Sequence, residues 1–126
     1  MKRDWAVVRS ILENVESDTL QDFADSEKYV TNLNVSDEEF FGHVELLIDA
    51  EIIKRCSVQR SVTGKIISYN FNHAFITMYG HDFLDAMRDK TIWNQIKTKA
   101  INSGVSLSWE FIKAALPLVI KDVLKQ

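Results

Sequence analysis

Residues 36–53, Ser-Asp-Glu-Glu-Phe-Phe-Gly-His-Val-Glu-Leu-Leu-Ile-Asp-Ala-Glu-Ile-Ile, constrain the fold more tightly than any other stretch of the chain. Ser36 is a favourable helix N-cap, and Glu39 three positions on completes the sequence pattern of a capping box. Val35 and Phe40 occupy the two positions of a hydrophobic staple, which sets the angle at which the chain enters the helix. At about 100° per residue, Phe40, Phe41, Val44, Leu47 and Ile48 share one stripe, and that stripe needs a core to face. Glu38, Glu39, Gly42, Glu45, Leu46 and Asp49 fall on the opposite stripe. Residues 31–53 contain no Lys or Arg, so the outward stripe is expected to be negatively charged. Ile52 and Ile53 read as the start of a strand.

A chain of 126 residues has the size of one domain with a helical tail, and it can bury about 65–70% of its unfolded surface. Its composition, 46% hydrophobic and 26% charged, belongs to a globular protein. The longest nearly pure apolar run, residues 114–120, contains Pro117 and falls far short of the roughly 20 residues of a spanning helix. No membrane association is therefore expected. The opening Met1-Lys2-Arg3-Asp4 runs directly into a helical pattern, which predicts no signal peptide. A single cysteine, Cys56, excludes an internal disulfide and suits a reducing compartment, so the expected location is cytoplasmic. The net charge of −3 is divided unevenly: residues 16–51 carry eleven acids against Lys28 alone, whereas residues 52–126 carry eleven bases against five acids. Such asymmetry points to a polar interaction surface. Its plainer reading is a solvated acidic segment followed by lysine-studded helices.

Along the chain, Asp4 caps a first helix over residues 5–16, with Trp5, Val8, Ile11, Leu12 and Val15 at the spacing of a buried face. Residues 17–27 are acidic, offer only Leu20, Phe23 and Ala24 for packing, and read as a loop with at most one helical turn. Residues 29–33 are β-branched and aromatic, which predicts a short strand. After the central helix, residues 52–60 and 66–71 read as two strands joined by a hairpin loop containing Gly64. Thr77 caps a helix to about Arg88, residues 91–102 form another that Gly104 stops, and Ser106 or Ser108 caps a last one in which Pro117 should produce a kink.

This order resembles a winged helix. Leu46-Leu47-Ile48-Asp49-Ala50-Glu51-Ile52-Ile53 resembles the Leu-Leu-x-x-Ala-Gly-Leu-Ile ending of a winged recognition helix, and Ile76-Thr77-x-x-Gly80 resembles the Leu-Thr-x-x-Gly that leads out of many wings. Together with the Met-Lys-Arg-Asp opening, the run Gly80-His81-Asp82-Phe83-Leu84-Asp85-Ala86-Met87-Arg88-Asp89 and Trp93, these make the chain similar from end to end to the bacterial and phage domain-of-unknown-function family 2513. The resemblance implies a winged-helix fold and a phage or mobile-element setting; it assigns no activity and no catalytic residue. The expected architecture is thus α+β: a winged helix-turn-helix-like domain over residues 1–89, with a small three-stranded sheet and a β-hairpin wing, and a C-terminal helical extension over residues 90–126. The winged pattern places Gly where this chain has Glu51. A left-handed Glu there costs roughly 1 kcal/mol relative to Gly.

The chemistry on these elements favours binding over catalysis. A recognition helix reads base edges with Arg, Lys, Asn or Gln, and phosphate neutralisation supplies much of the affinity. Glu38, Glu39, Glu45 and Asp49 would each oppose a nearby phosphate by about 1 kcal/mol. The acids at the start of the helix also suit its macrodipole, but Glu45 and Asp49 lie beyond that explanation. Leu46 among carboxylates, with Gly42 leaving room for close approach, makes Glu38, Glu39, Gly42, Glu45, Leu46 and Asp49 a candidate docking face for a basic protein, one that would imitate nucleic acid to a host protein. The alternative is a DNA-associated regulator contacting nucleic acid through the wing bases Lys54, Arg55, Arg60 and Lys65, although hairpins also carry charge merely to blunt strand edges. No metal or cofactor is expected. His43, His73, His81 and Cys56 lack ligand spacing, His81-Asp82 reads as first-turn polarity, Cys56 reads as core, and the chain has neither a phosphate-cradling loop nor a nucleophile motif. Apolar positions in the two last helices either pair two protomers or fold back on the helix at residues 5–16.

Overall fold

Capping and aromatic packing organise the first half of the chain. The computed structural model describes residues 3–124. Its elements are α1 (Trp5–Glu16), α2 (Leu20–Asp25), α3 (Lys28–Leu33), α4 (Asp37–Asp49), β1 (Ile53–Lys54), β2 (Ser57–Arg60), β3 (Ile66–Asn70), β4 (Phe75–Ile76), α5 (Met78–Arg88), α6 (Lys90–Ser103) and α7 (Trp109–Leu124). The architecture is α+β, and it divides into two compact units, the first ending at Asp82 and the second beginning at Phe83.

In the first unit α4 starts where its caps predict. Ser36 Oγ accepts from the Glu39 amide at 3.2 Å, while the Glu39 carboxylate accepts from the Ser36 amide at 3.3 Å, closing the capping box. Phe40, Phe41, Val44 and Leu47 are buried, and Ile48 is half-buried. The Phe40 ring stacks on Tyr29 at 4.2 Å with 5° between planes, and Phe41 sits 4.9 Å from the Tyr69 ring. Each such pair contributes about 0.5–1.5 kcal/mol beyond its area burial. α1 packs across α4, burying Val7, Val8, Ile11, Leu12 and Val15. It is pinned at its start by the Asp4 amide, which donates to His43 Nε2 at 2.9 Å. His43 is fully buried, and its Nδ1 lies 2.6 Å from the Glu39 carbonyl. The neutral Nδ1–H tautomer satisfies both bonds.

Three expectations for this unit change. Residues 29–33 are the helix α3 and not a strand. The β-branched content there is a weak preference, overridden because a helical turn delivers the Tyr29 ring onto Phe40 and its hydroxyl to Asp37 at 2.6 Å. Residues 20–25 are helical as well: Leu20, Phe23 and Ala24 stand at i, i+3 and i+4 and are all buried. The expected three-stranded sheet is instead two antiparallel two-stranded ladders, β1 with β4 and β2 with β3. Arg55 at φ +58° separates β1 from β2, and α3 occupies the segment that would have supplied a third strand.

The exit from α4 explains two sequence signals. Glu51 has φ +58°, its amide donates to Ile48 O and the Ile52 amide to Leu47 O, both at 3.0 Å. This is a Schellman closure with Glu at the position glycine prefers. Thr77 then fastens the start of α5 to this turn. Its hydroxyl lies 2.8 Å from Glu51 O, its amide donates to Ile52 O at 2.9 Å, and its Oγ1 accepts from the Gly80 amide at 3.2 Å. A Cβ on Gly80 would come within 2.5 Å of both Ile52 O and Ile76 Cγ2, so the Thr-x-x-Gly spacing serves a close backbone approach.

In the second unit Asp89 caps α6 through the Ile92 amide at 3.0 Å, and Ser108 Oγ caps α7 through Phe111 at 3.1 Å. Gly104, left-handed at φ +68°, closes α6. α6 and α7 pack together, burying Ile96 and Ala100 against Ile112, Ala115 and Val119. The Phe83 ring meets Trp93 and Trp109 edge-on at 6.1 and 4.8 Å. α7 continues through the exposed Pro117 as one helix.

Gly80→Ala is expected to lower stability by about 1–3 kcal/mol, since its new methyl meets a backbone carbonyl that cannot rotate away. Glu51→Gly should raise stability by about 0.5–1 kcal/mol, the relief of left-handed strain exceeding the added freedom of the unfolded chain. Urea denaturation of each variant measures both.

Candidate functional site

Glu38 and Glu45 are seven positions apart on α4 and therefore project from the same side, two turns apart. That side faces the β2–β3 hairpin. Between Gln59 and Arg60 the pairing skips from Ser68 to Ile66, so β3 bulges at Ile67 opposite Arg60, a local kink of the kind that re-aims side chains. Arg60 there reaches across to both carboxylates. Its Nε donates to the two Glu45 oxygens at 3.0 and 2.9 Å, and Nη2 donates to Glu45 Oε1 at 2.6 Å and Glu38 Oε1 at 2.9 Å. Nη1 donates to Glu38 Oε2 at 3.0 Å and to Gly64 O at 2.6 Å. Every guanidinium nitrogen is engaged, in the forked geometry that suits Arg and not Lys.

The pairing is partly shielded, the Arg60 and Glu45 side chains being 25% and 32% exposed. Hydrogen bonding by Arg60 holds the Glu38 carboxyl below its ordinary range. In return, Glu45 first and Glu38 second push the guanidinium further toward its charged form.

This geometry divides the candidate docking face. Glu38 and Glu45 belong to the internal ion pair. Glu39 is exposed but closes the capping box. Gly42 is buried, contrary to its expected place on the outer stripe, because it neighbours the buried His43 on a helix that α1 covers. Leu46, 42% exposed, and the exposed Asp49 remain available outward.

The alternative face divides too. Lys54, Arg55 and Lys65 are exposed, with the Arg55 guanidinium 5.1 Å over the Phe75 ring, but Arg60 is turned toward α4 and held there. Lys65 forms no ion pair among the described residues.

A second acidic region, not singled out by sequence, lies between α2, α3, the start of α4 and β3. The Tyr69 hydroxyl donates to Asp25 and the Tyr29 hydroxyl to Asp37, each at 2.6 Å. Gln21 Oε1 receives the Phe71 amide at 2.7 Å and so ties α2 to the hairpin. Burial foremost, then the hydrogen bond to Asp25, pushes the Tyr69 phenol up to about 12. Tyr29 is shifted the same way by burial and then by Asp37. The sequence signal for this region was the i, i+3, i+4 spacing of Leu20, Phe23 and Ala24, which makes a helix of what reads as a loop.

Cys56, expected in the core, is half-buried just before β2, and burial pushes its thiol up to about 11, which disfavours the thiolate at neutral pH. His81 and His73 are exposed. Among the described residues no group of three or more His, Cys, Asp or Glu side chains is placed to hold a metal ion, and no helix is long and apolar enough to cross a membrane.

The fold and these surfaces define a small α+β protein whose first unit carries an internally braced acidic helix. A family profile described as "Hypothetical protein (DUF2513)" matches residues 2–106, and the chain belongs to that family. It is also similar to an uncharacterized protein of Haemophilus influenzae, 30% identical over 125 residues that cover 98% of this chain and 99% of the relative. No solved structure matches.

The Arg60 pairing predicts a specific acid limb. The folded state binds the Glu38 proton more weakly than the unfolded chain, so the stabilisation is complete above the ordinary carboxyl value of 4.5 and is lost as pH falls through the lowered folded value. Arg60→Met should therefore lower the urea midpoint at about pH 7, with the difference from the parent shrinking as pH falls below the ordinary carboxyl value of 4.5. A difference independent of pH would assign Arg60 a packing role only.

Proposed function

We propose that this protein is a non-enzymatic, winged-helix interaction module that offers an acidic surface, centred on α4, to a basic protein partner. The winged-helix reading is supported by the order of elements: α3 precedes α4 across the short connection at residues 34–36, and the β2–β3 hairpin follows α4 as a wing does. It is further supported by Thr77 and Gly80, whose packing accounts for the lead-out motif.

The observation that carries the functional reading is the engagement of Arg60. The wing's most elaborately positioned base neutralises part of the chain's own acidic helix, which removes it from any phosphate. The rest of the acidic segment still far outnumbers its bases: Glu39 two turns before Leu46 and Asp49 one turn after it are exposed on α4, and Asp18, Asp25, Glu27, Asp37 and Glu51 are exposed elsewhere. An exposed apolar residue flanked by carboxylates along a helix suits a basic surface carrying an apolar contact, and the charge steers encounter. In a phage or mobile-element setting such a surface would occupy the nucleic-acid site of a host protein. A regulator binding DNA through its wing would have to rely on Lys54, Arg55 and Lys65.

Two measurements separate these readings. A gel shift on mixed genomic fragments at low salt is expected to show no retardation; salt-sensitive retardation abolished by neutralising Lys54, Arg55 and Lys65 would establish the DNA reading instead. A pull-down from the native host is expected to yield a basic protein that is lost with Leu46→Lys and Asp49→Lys while circular dichroism is unchanged. Retention of the partner by both variants would remove α4 from the interface.

A further inference from the structure

Beside the α4 face lies a cleft of about 400 Å³ between the α2–α3 junction, the first turn of α4 and the hairpin. Phe41, Tyr29 and Tyr69 line it, the Phe41 ring lying 4.9 Å from Tyr69 and 6.0 Å from Tyr29. Its charged lining is mostly anionic, Asp25, Glu27, Asp37 and Glu38 against Lys65, with Glu38 already paired to Arg60. Asp25 and Asp37 each accept a tyrosine hydroxyl, which fixes the carboxylates against the aromatic wall while leaving further lone pairs on each. Neighbouring carboxylates reinforce the upward shift that burial gives both tyrosines, in keeping with a negative local field.

Size, wall and charge together select the occupant. No three acids here converge closely enough for a metal ion, so the negative charge is spread over a volume that fits an extended organic cation. Aromatic rings beside separated carboxylates suit a flat, delocalised cation that stacks and forks its hydrogen bonds, which describes a guanidinium better than an ammonium. The surrounding residues 16–51 hold eleven acids against one base, so a basic segment is the complementary partner. Arg60 already holds Glu38, whereas Lys65, also lining the cleft, makes no ion pair among the described residues.

We propose that this cleft receives an arginine side chain from a basic protein segment, its guanidinium stacking on Tyr69 and donating to Asp37 and Glu27. The inference rests on the docking reading above and specifies the partner's chemistry: a basic segment presenting at least one arginine free to insert.

The test is a nuclear magnetic resonance titration of the full-length protein with three probes: a short peptide of Arg-Gly-Ser repeats, the same peptide with Lys for Arg, and spermidine. Shifts should cluster at Glu27, Asp37 and Tyr69, with the arginine peptide binding about fivefold or more tighter than the lysine peptide. Glu27→Gln and Asp37→Asn, both at exposed positions, should each weaken the arginine peptide about 3–10-fold, while Leu46→Ala leaves it unchanged. Lys65→Ala should tighten binding by removing a competing cation. Shifts confined to Glu39, Leu46 and Asp49 would overturn the cleft and leave the α4 docking face standing. Equal binding of the lysine peptide or spermidine would overturn the arginine assignment. Absence of saturable shifts with every probe would also overturn the cleft, whereas the wider docking reading falls only if the host partner survives both lysine substitutions on α4.

Discussion

Phe40 and Phe41 are adjacent in sequence, and the helix turns them about 100° apart, so each ring recruits a different part of the first unit. Phe40 takes Tyr29 from α3 by stacking and Phe23 from α2 at 5.8 Å. Phe41 takes Tyr69 and Phe71 from the hairpin, at 4.9 and 6.2 Å. Through this pair one helix brings together two short helices and a hairpin that could not each bury an apolar face alone. Isolated six-residue helices such as α2 and α3 are far below the length at which helices persist in water, so this packing is what allows them to exist.

Once the aromatic rings set the hairpin against α4, electrostatics decides what the shared surface displays. The hairpin brings a guanidinium to two carboxylates spaced two turns apart, and the pairing changes the meaning of both charged faces. The acidic stripe commits Glu38 and Glu45 to the ion pair, and the basic face of the hairpin commits Arg60. The outward charge that remains lies around Leu46 on α4 and around the tyrosine-lined cleft. The first patch keeps only part of the helical stripe drawn from periodicity and the second lies off it, because a stripe drawn on one helix ignores what the neighbouring strand contributes.

Helices with strong local signals were legible. Ser36 and Glu39 made the capping box, Asp4 and Ser108, one of two serines the sequence offered, capped their helices, and Gly104 closed α6 with the left-handed turn that glycine favours, whereas the Asp89 cap of α6 went unread. Family membership was legible too, carried by motifs such as Thr77-x-x-Gly80. The segment at residues 17–35 was not: its two helices are too short for periodicity to separate them from a loop and a strand, and Val30 and Thr31 point locally the wrong way. Glu27 and Asn34, left-handed at φ +51° and +55°, end these helices without the glycine that would have announced it. The long strand expected at residues 52–60 broke for the same reason, at a left-handed Arg55.

The sequence by itself determined where α4 begins, which of its faces is apolar and that the segment around it is acidic, because capping, helical period and formal charge are properties of neighbours along the chain. Only the tertiary structure decided which carboxylates stay available, that Gly42 and His43 lie inside, and that Tyr29 and Tyr69 form the wall of a cleft with Asp25 and Asp37. Each of these depends on which side chain from a distant segment arrives within a few ångströms. Separations such as the fifteen residues from Glu45 to Arg60 or the forty-four from Asp25 to Tyr69 leave no periodic trace in the chain.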